Sequence, residues 1–428
     1  MVNVYEQNLT ITSTGKGIPV IVEQLPNSRS VAVAACVGVG SRHEDKTKNG
    51  ISHFLEHMLF RGTHTRDYRE VNETIEDAGG YLNAFTMHEL TAFYSLTMDE
   101  TIDTGLILLA DIFKNPKMAE EHVSLEKGII KQELNSVIND PDMYIRRLLM
   151  QTHFGDHPLA RAILGSNETI DSFQRDELLD YHAKHYSPPN IVIVAAGNMG
   201  VDKIVEWASE NFDDLPSNGG KVDRTPPKHR AVIDVYPRQG EHTYVGIGVP
   251  GVAAGDDRAP ICDLMCTVLN GGSSSRFNHK IREEQGLVYS ITTSPIPYRD
   301  CGTIDTFFST TSERAEKVLQ IYSEEIKRFK NEGLKPGELD RAKRIIKGAI
   351  LRTVGQPRED MRSFLFSYLV TGKVRKVDEV IARYEAVTEE QIVAFAQEHM
   401  QRKKMCGAVH AAMEQAEPVA AKAAAIDF

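Results

Sequence analysis

Apolar and polar positions alternate from the start of the chain: Leu9 and Ile11, then Ile18, Val20 and Val22, separated by Thr14-Gly15-Lys16-Gly17. Two period-two runs around a glycine-rich turn predict a hairpin. A strand is predicted from Ser30 to Val39, ended by Gly40-Ser41. Helical periodicity follows over 51–61, 68–78, 101–114 and 119–138. Gly80 to Met98 alternates like a pair of strands, with Tyr81, Ala84, Phe93, Tyr94 and Leu96 as its apolar positions. After Pro188-Pro189, the run Ile191-Val-Ile-Val-Ala reads as a buried strand. Strands and helices come in runs rather than in strict alternation, which predicts an α+β fold.

The pattern breaks once near the middle. Asp213 to Ala231 collects turn formers and the pair Pro226-Pro227, the signature of a linker. On either side the chain repeats itself weakly. Pro26 and the strand to Gly40 correspond to Pro237 and the strand to Gly251, and Lys127-x-Ile-Ile-Lys131 corresponds to Lys343-x-Ile-Ile-Lys347. The order is kept and the intervals are nearly equal, so two related α/β units in tandem are expected, each a mainly antiparallel sheet packed with helices. The expected boundaries are 1–213 for the first unit, 214–230 for the linker and 231–412 for the second. The alanine-rich stretch 413–428 is expected to be a mobile tail.

Composition narrows the function. The chain has 428 residues, 49 basic against 60 acidic, and a net charge of −11. A nucleic-acid partner would demand the opposite sign. No window is apolar enough to cross a membrane, and Met1 to Gly17 lacks the apolar core of a secretion signal. Five cysteines are few and odd in number, which fits a reducing compartment, so a cytoplasmic location is expected. Cys262 and Cys266 lie one helical turn apart, but with no neighbouring Cys or His pair they read as small buried side chains.

The segment with chemistry in it is Ile51-Ser-His53-Phe-Leu-Glu56-His57-Met-Leu-Phe60-Arg-Gly62. Ile51, Phe54, Leu55, Met58 and Leu59 form the apolar stripe of an amphipathic helix. His53, Glu56 and His57 share the opposite face. Imidazoles at i and i+4 can converge on one metal, with the glutamate beside them. Two histidines do not hold a catalytic zinc, so a third ligand is needed. The helix over 119–138 offers candidates, because Glu126 and Glu133 fall on the same stripe as Ile129, Ile130 and Val137. A carboxylate facing a core is costly unless it meets a cation or strong donors.

These residues carry a resemblance. The segments Gly40-Ser-Arg-x-Glu44, His53-Phe-Leu-Glu56-His57-Met-x-Phe60-x-Gly62-Thr63 and Gly80-x-Leu-Asn83-Ala84-x-Thr86 are similar to the pitrilysin/insulinase family of inverted zinc peptidases. Within that family the chain most resembles the mitochondrial processing peptidase branch and its prokaryotic relatives. The resemblance implies one Zn²⁺ per chain held by His53, His57 and Glu133, with Glu126 supporting the histidines. It implies that Glu56 is the general base. In the second half, Arg282-x-x-x-Gly286-Leu-x-Tyr289 matches an Arg/Tyr pair that contacts substrate and stabilises the developing oxyanion. The neighbouring run Asn270-Gly-Gly-Ser-Ser-Ser lacks the Gly-Lys-Ser/Thr ending of a phosphate cradle. Asn83 and Ala84 fall on the strand whose edge the family pairs with an extended peptide.

The activity implied is zinc-dependent endopeptidase hydrolysis of peptides or unfolded segments. With zinc in one unit and the Arg/Tyr pair in another, the resemblance also implies a dimer, either a homodimer or a heterodimer with a related chain. No membrane or nucleic-acid partner is expected. The competing reading is a non-catalytic or partner-dependent subunit of a related peptidase or larger assembly.

Overall fold

The computed structural model describes residues 7–217, 219 and 224–428. Two mixed sheets organise them. The first contains β1 (Asn8–Ser13), β2 (Pro19–Gln24), β3 (Ser30–Val37), β4 (Tyr81–Thr86), β5 (Thr91–Met98) and β6 (Ile191–Gly197), in the order β1-β2-β6-β3-β5-β4. The second contains β7 (Ile233–Pro237), β8 (His242–Pro250), β9 (Ile291–Pro297), β10 (Gly302–Thr311) and β11 (Cys406–Ala411), in the order β7-β11-β8-β10-β9.

The two sheets repeat one plan. β2 runs parallel to β6, and every other pairing in the first sheet is antiparallel. In the second sheet β7 runs parallel to β11 and the rest are antiparallel. The strand order β2-β6-β3-β5-β4 thus corresponds to β7-β11-β8-β10-β9, with β1 as an addition. The tandem α+β duplication expected from the sequence is the architecture observed.

Burial follows the pattern of side chains. β3 and β6 are Val/Ile/Ala runs, buried almost throughout, as central strands covered on both faces must be. One face of the first sheet is covered by α1 (Ile51–Leu59), α2 (Tyr68–Asp77) and α3 (Ile102–Lys114), which share a core with Val31, Val33 and Phe93. The alternate residues of the same strands, among them Ala32, Ala34 and Tyr94, pack on Met361, Phe364 and Leu365 of the Pro357–Thr371 helix. Then come α4 (Glu120–Asn139) and α5 (Pro141–Phe154); Ile145, Leu148 and Leu149 of α5 pack on Phe307 and Ala408 of the second sheet.

Two boundary expectations need correction. The compact units are not the contiguous stretches 1–213 and 231–412. The first consists of the chain up to Asn135, Arg161–Thr225 and Thr353–Val377; the second of Ser136–Ala160, Pro226–Arg352 and Asp378–Phe428. Each half of the sequence lends one helical segment to the other half's sheet. Periodicity shows that a helix has an apolar face, not which sheet covers it. The expected linker 214–230 lies partly outside the described residues. Nor is 413–428 a loose tail: Met413–Ala424 is a helix, with Ala416, Val419, Ala420 and Ala423 buried at i, i+3, i+4 and i+7. Ile426 and Phe428 are buried beyond it, and Phe428 meets Tyr322 edge-on. The polar opening Glu-Gln-Ala-Glu-Pro masked an apolar stripe made mostly of alanine.

Truncation after Ala412 is therefore expected to destabilise the second unit. Burial of Val419, Ile426 and Phe428 alone contributes roughly 1.5–3 kcal/mol each, enough for a drop of ten degrees or more in Tm. Thermal unfolding of the truncated chain at the full-length midpoint would restore the loose-tail reading.

Candidate functional site

The site is built on α1. Its entry is set by Gly50, whose φ of +96° suits glycine and whose added Cβ would lie 2.7 Å from the carbonyl oxygen of Leu164. The first turn is held by a side chain from outside the helix. The Glu44 carboxylate accepts hydrogen bonds from the backbone N–H of Gly50 (2.7 Å) and Ser52 (2.8 Å) and from Asn49 Nδ2 (2.9 Å). This satisfies donors that a helix start leaves unpaired. Burial pushes the Glu44 carboxyl above the usual range, against the pull of those donors. Ser52 Oγ lies 2.8 Å from the Tyr181 hydroxyl.

Ile51, Phe54, Leu55, Met58 and Leu59 are buried in the core, so the helix presents His53, Glu56 and His57 on its other face. The two imidazole rings lie 4.7 Å apart between centroids. Across from them, α4 buries Val123, Glu126, Ile130 and Leu134 and leaves Glu133 outside that buried set. The two glutamates fare differently. Glu126 has no exposed surface, whereas the Glu133 side chain is 43% exposed. The expected core-facing stripe thus encloses only the first.

Glu133 Oε2 stands 3.7 Å from His53 Nε2 and 3.6 Å from His57 Nε2. The three ligand atoms lie within 4.8 Å of one another, and among the described residues these three form the one group of that kind. Two imidazoles and a carboxylate are the donor set of a catalytic zinc site with an open position.

His53 and Glu126 are held in the states a metal site needs, whereas His57 is poised to carry a proton that a metal would displace. Glu126 Oε2 lies 2.8 Å from His57 Nδ1 and its other oxygen pairs with Arg61 Nε. A proton held on Nδ1 by that carboxylate leaves the Nε2 lone pair free toward Glu133. Burial would raise the Glu126 carboxyl, but hydrogen bonds from His57 and Arg61 outweigh it and hold it low. Burial would lower His57 too; Glu126, with Glu56 and Glu133, reverses the sign and raises it. His53 is pushed down to about 3 by burial and by the neighbouring His57, so it stays neutral.

Glu56 is held apart from the cluster by a hydrogen bond from the Thr86 hydroxyl of β4. Burial raises its carboxyl above the usual value, Glu133 adds to this, and Thr86 and His57 oppose it. That is the direction a general base working near neutral pH needs. Beside it opens a pocket of about 380 Å³ lined by Glu56, His57, Tyr68, Leu82, Ala84 and Glu126 among others. Among the described residues β4 is the last strand of its sheet, so one of its edges is unpaired there. Asn83 and Ala84 lie there, and the Ala84 N–H donates to Asn83 Oδ1 at 2.7 Å.

The first unit thus brings together seven of the nine expected site residues. Arg282 and Tyr289 belong to the second unit, where the Arg282 guanidinium carbon lies 6.0 Å from the Tyr289 ring centroid. Tyr289 is 87% exposed. Three contributors had no role in the sequence reading: Glu44 as helix cap, Thr86 as the partner of Glu56, and Arg61 as the counter-charge to Glu126. Glu44 and Thr86 stood in the quoted motifs. Arg61 lies one turn beyond His57 on the same helical face, a spacing that could have flagged it.

Zinc affinity should depend on pH through His57, since a proton on its ring must leave before metal binds. Below the raised His57 pKa, each pH unit is expected to cost about tenfold in apparent affinity. Glu126→Gln should weaken zinc binding about 10- to 100-fold and move the onset of that pH penalty downward. Competition titrations against a chelator across pH check both; an unchanged onset in the variant would sever Glu126 from His57.

Known proteins resemble this chain along most of its length. A family model described as insulinase (peptidase family M16) matches residues 19–167, and one described as the peptidase M16 inactive domain matches residues 172–346. The uncharacterized zinc protease YmxG of Bacillus subtilis is 31% identical over 89% of this chain and 93% of its own length. A crystal structure of a peptidase M16 inactive domain from Pseudomonas fluorescens shares the fold with a TM-score of 0.88 at 19% identity, covering 95% of this chain and 98% of that one. A protease from Helicobacter pylori does so with a TM-score of 0.87 at 18% identity, covering 95% and 100%. By sequence and by fold together, this chain belongs to the insulinase (M16) family of peptidases.

Proposed function

We propose that the protein is a zinc-dependent endopeptidase acting on peptides or unfolded segments, of the processing-peptidase type. The observation that carries the reading is the meeting of His53, His57 and Glu133 with a separately held Glu56 beside an unpaired strand edge. His53, His57 and Glu133 would hold the metal, whose chemistry when bound is Lewis acidity toward water and a peptide carbonyl. Glu56 takes the proton from the attacking water and passes it to the leaving amine. Its raised carboxyl pKa makes both transfers feasible near neutrality. Thr86 fixes the orientation of Glu56, and Glu126 with Arg61 fixes the His57 ring.

Substrate binds in this proposal as an added strand on β4. The peptide takes over the Ala84 N–H that Asn83 now occupies, and main-chain hydrogen bonds supply affinity with little sequence demand. Arg282 and Tyr289 contact substrate and stabilise the tetrahedral oxyanion. They act across a dimer, the zinc-bearing unit of one chain serving with the Arg/Tyr pair of another.

Glu56→Gln is expected to keep zinc and lose about 10²–10⁴ in kcat, since it removes the base and no ligand. His57→Ala and Glu133→Ala should lose the metal. Normal turnover by the Glu56→Gln protein would sink the mechanism. A metal-loaded wild-type protein that cleaves no peptide would favour the non-catalytic subunit reading.

Sharing of the site has its own test. Glu56→Gln and Arg282→Ala chains, each inactive alone, are mixed and their exchange is confirmed. Action across chains yields one intact site per mixed dimer and a partial return of activity. No return despite exchange would place the pair within its own chain.

A further inference from the structure

β4 has two faces with opposite chemistry. Leu82 and Ala84 pack toward α1 and the pocket, and Thr86 reaches Glu56 from the same side. Tyr81 and Phe85 point the other way, onto the core shared with Met361 and Phe364 of the Pro357–Thr371 helix. That helix lies in the same compact unit as β4. Phe85 stacks on Phe366 at 5.8 Å between centroids, and the Arg362 guanidinium carbon lies 5.7 Å from the Phe85 centroid. One turn earlier, Arg358 lies near enough to the Tyr81 side chain to interact with it electrostatically. Both arginines are exposed. Arg358 is partly compensated by Glu359, at 2.8 Å, so this side keeps a net positive charge beside the strand. The pocket side carries Glu56, Glu126 and Glu133, of which Glu126 is paired with Arg61.

A strand added to β4 continues the pleat of the sheet. Its side chains opposite Tyr81, Asn83 and Phe85 project toward the arginines, and those opposite Leu82, Ala84 and Thr86 project toward the carboxylates. We propose that Arg358 and Arg362 are specificity residues that favour an acidic side chain at alternate positions of the bound peptide, on the helix-facing side only. This rests on the proposal that peptide pairs with β4. It runs against the net charge of the whole chain, which by itself favours basic peptides at every position. The periodicity of the preference is therefore the diagnostic feature.

The test uses the full-length, metal-free wild-type protein, which keeps all three carboxylates and does not cleave, and a labelled neutral peptide in which Asp, Asn and Lys are placed at each position in turn. Binding is read by fluorescence anisotropy, and cleavage of the same peptides by the zinc-loaded wild-type protein is read by mass spectrometry. Asp is expected to bind about three- to fivefold tighter than Asn at alternate positions, an exposed ion pair's worth, and no tighter at the positions between. Adding Arg358→Glu and Arg362→Glu should transfer the preference at those positions to Lys. The milder pair Arg358→Gln and Arg362→Gln should flatten it, with circular dichroism confirming the fold. A flat profile, a profile with no period of two, an alternation unaffected by both double variants, or no binding at all overturns the proposal. Alternating affinity without cleavage by the wild type would uphold it while refuting the peptidase reading.

Discussion

A carboxylate with no exposed surface, Glu126, ties the two helices of the site together. It stands on α4, accepts from His57 of α1 and pairs with Arg61 just beyond α1. A buried charge of this kind persists only because both oxygens are met; removing one partner of such a pair typically costs about 3–5 kcal/mol. The same contact selects the tautomer of His57 and so decides which ring nitrogen faces Glu133. Structure and chemistry meet in one side chain, and the separation of α1 from α4 is set by its reach. Glu44 fixes the other end of α1 through its first-turn donors. The helix is held at both ends by acids that are not themselves positioned to be ligands.

The duplicated sheets explain why such a site can sit beside an open edge. In both units the chain places a hairpin partner at the end of the sheet, β4 against β5 and β9 against β10. Only the first copy has the His-x-x-Glu-His helix packed behind its end strand. Strand β4 accordingly serves two cores at once, Leu82 and Ala84 on one and Tyr81 and Phe85 on the other. Its exposed backbone faces neither of them.

Much of this was legible in the sequence, and the reasons for success and failure are physical. The hairpin at 9–22, the strand from Ser30 and the helix expected over 51–61 are local patterns with strong periodicity, and the structure returns them within a residue or two at most ends. The pairing of His53 with His57 follows from helical pitch alone. Glu126 stood out because a charge on an apolar stripe requires a partner. What the pattern did not show is long-range. The exchange of the 136–160 and 353–377 segments between units leaves no periodic trace. The helix at 413–424 was hidden because alanine contributes little to an apolar profile yet packs closely. Arg61 and Thr86 matter through the side chains they meet, and those meetings exist only once α4 and β4 are in place.

The central claim is that two imidazoles and Glu133 hold a zinc ion with a position left open. Zinc K-edge X-ray absorption on the stoichiometrically loaded protein tests it most directly. The account predicts a first shell of nitrogen and oxygen only, at about 2.0–2.2 Å, with outer-shell scattering from two imidazole rings. Sulfur scattering at about 2.3 Å, or a third imidazole in the shell, would contradict it.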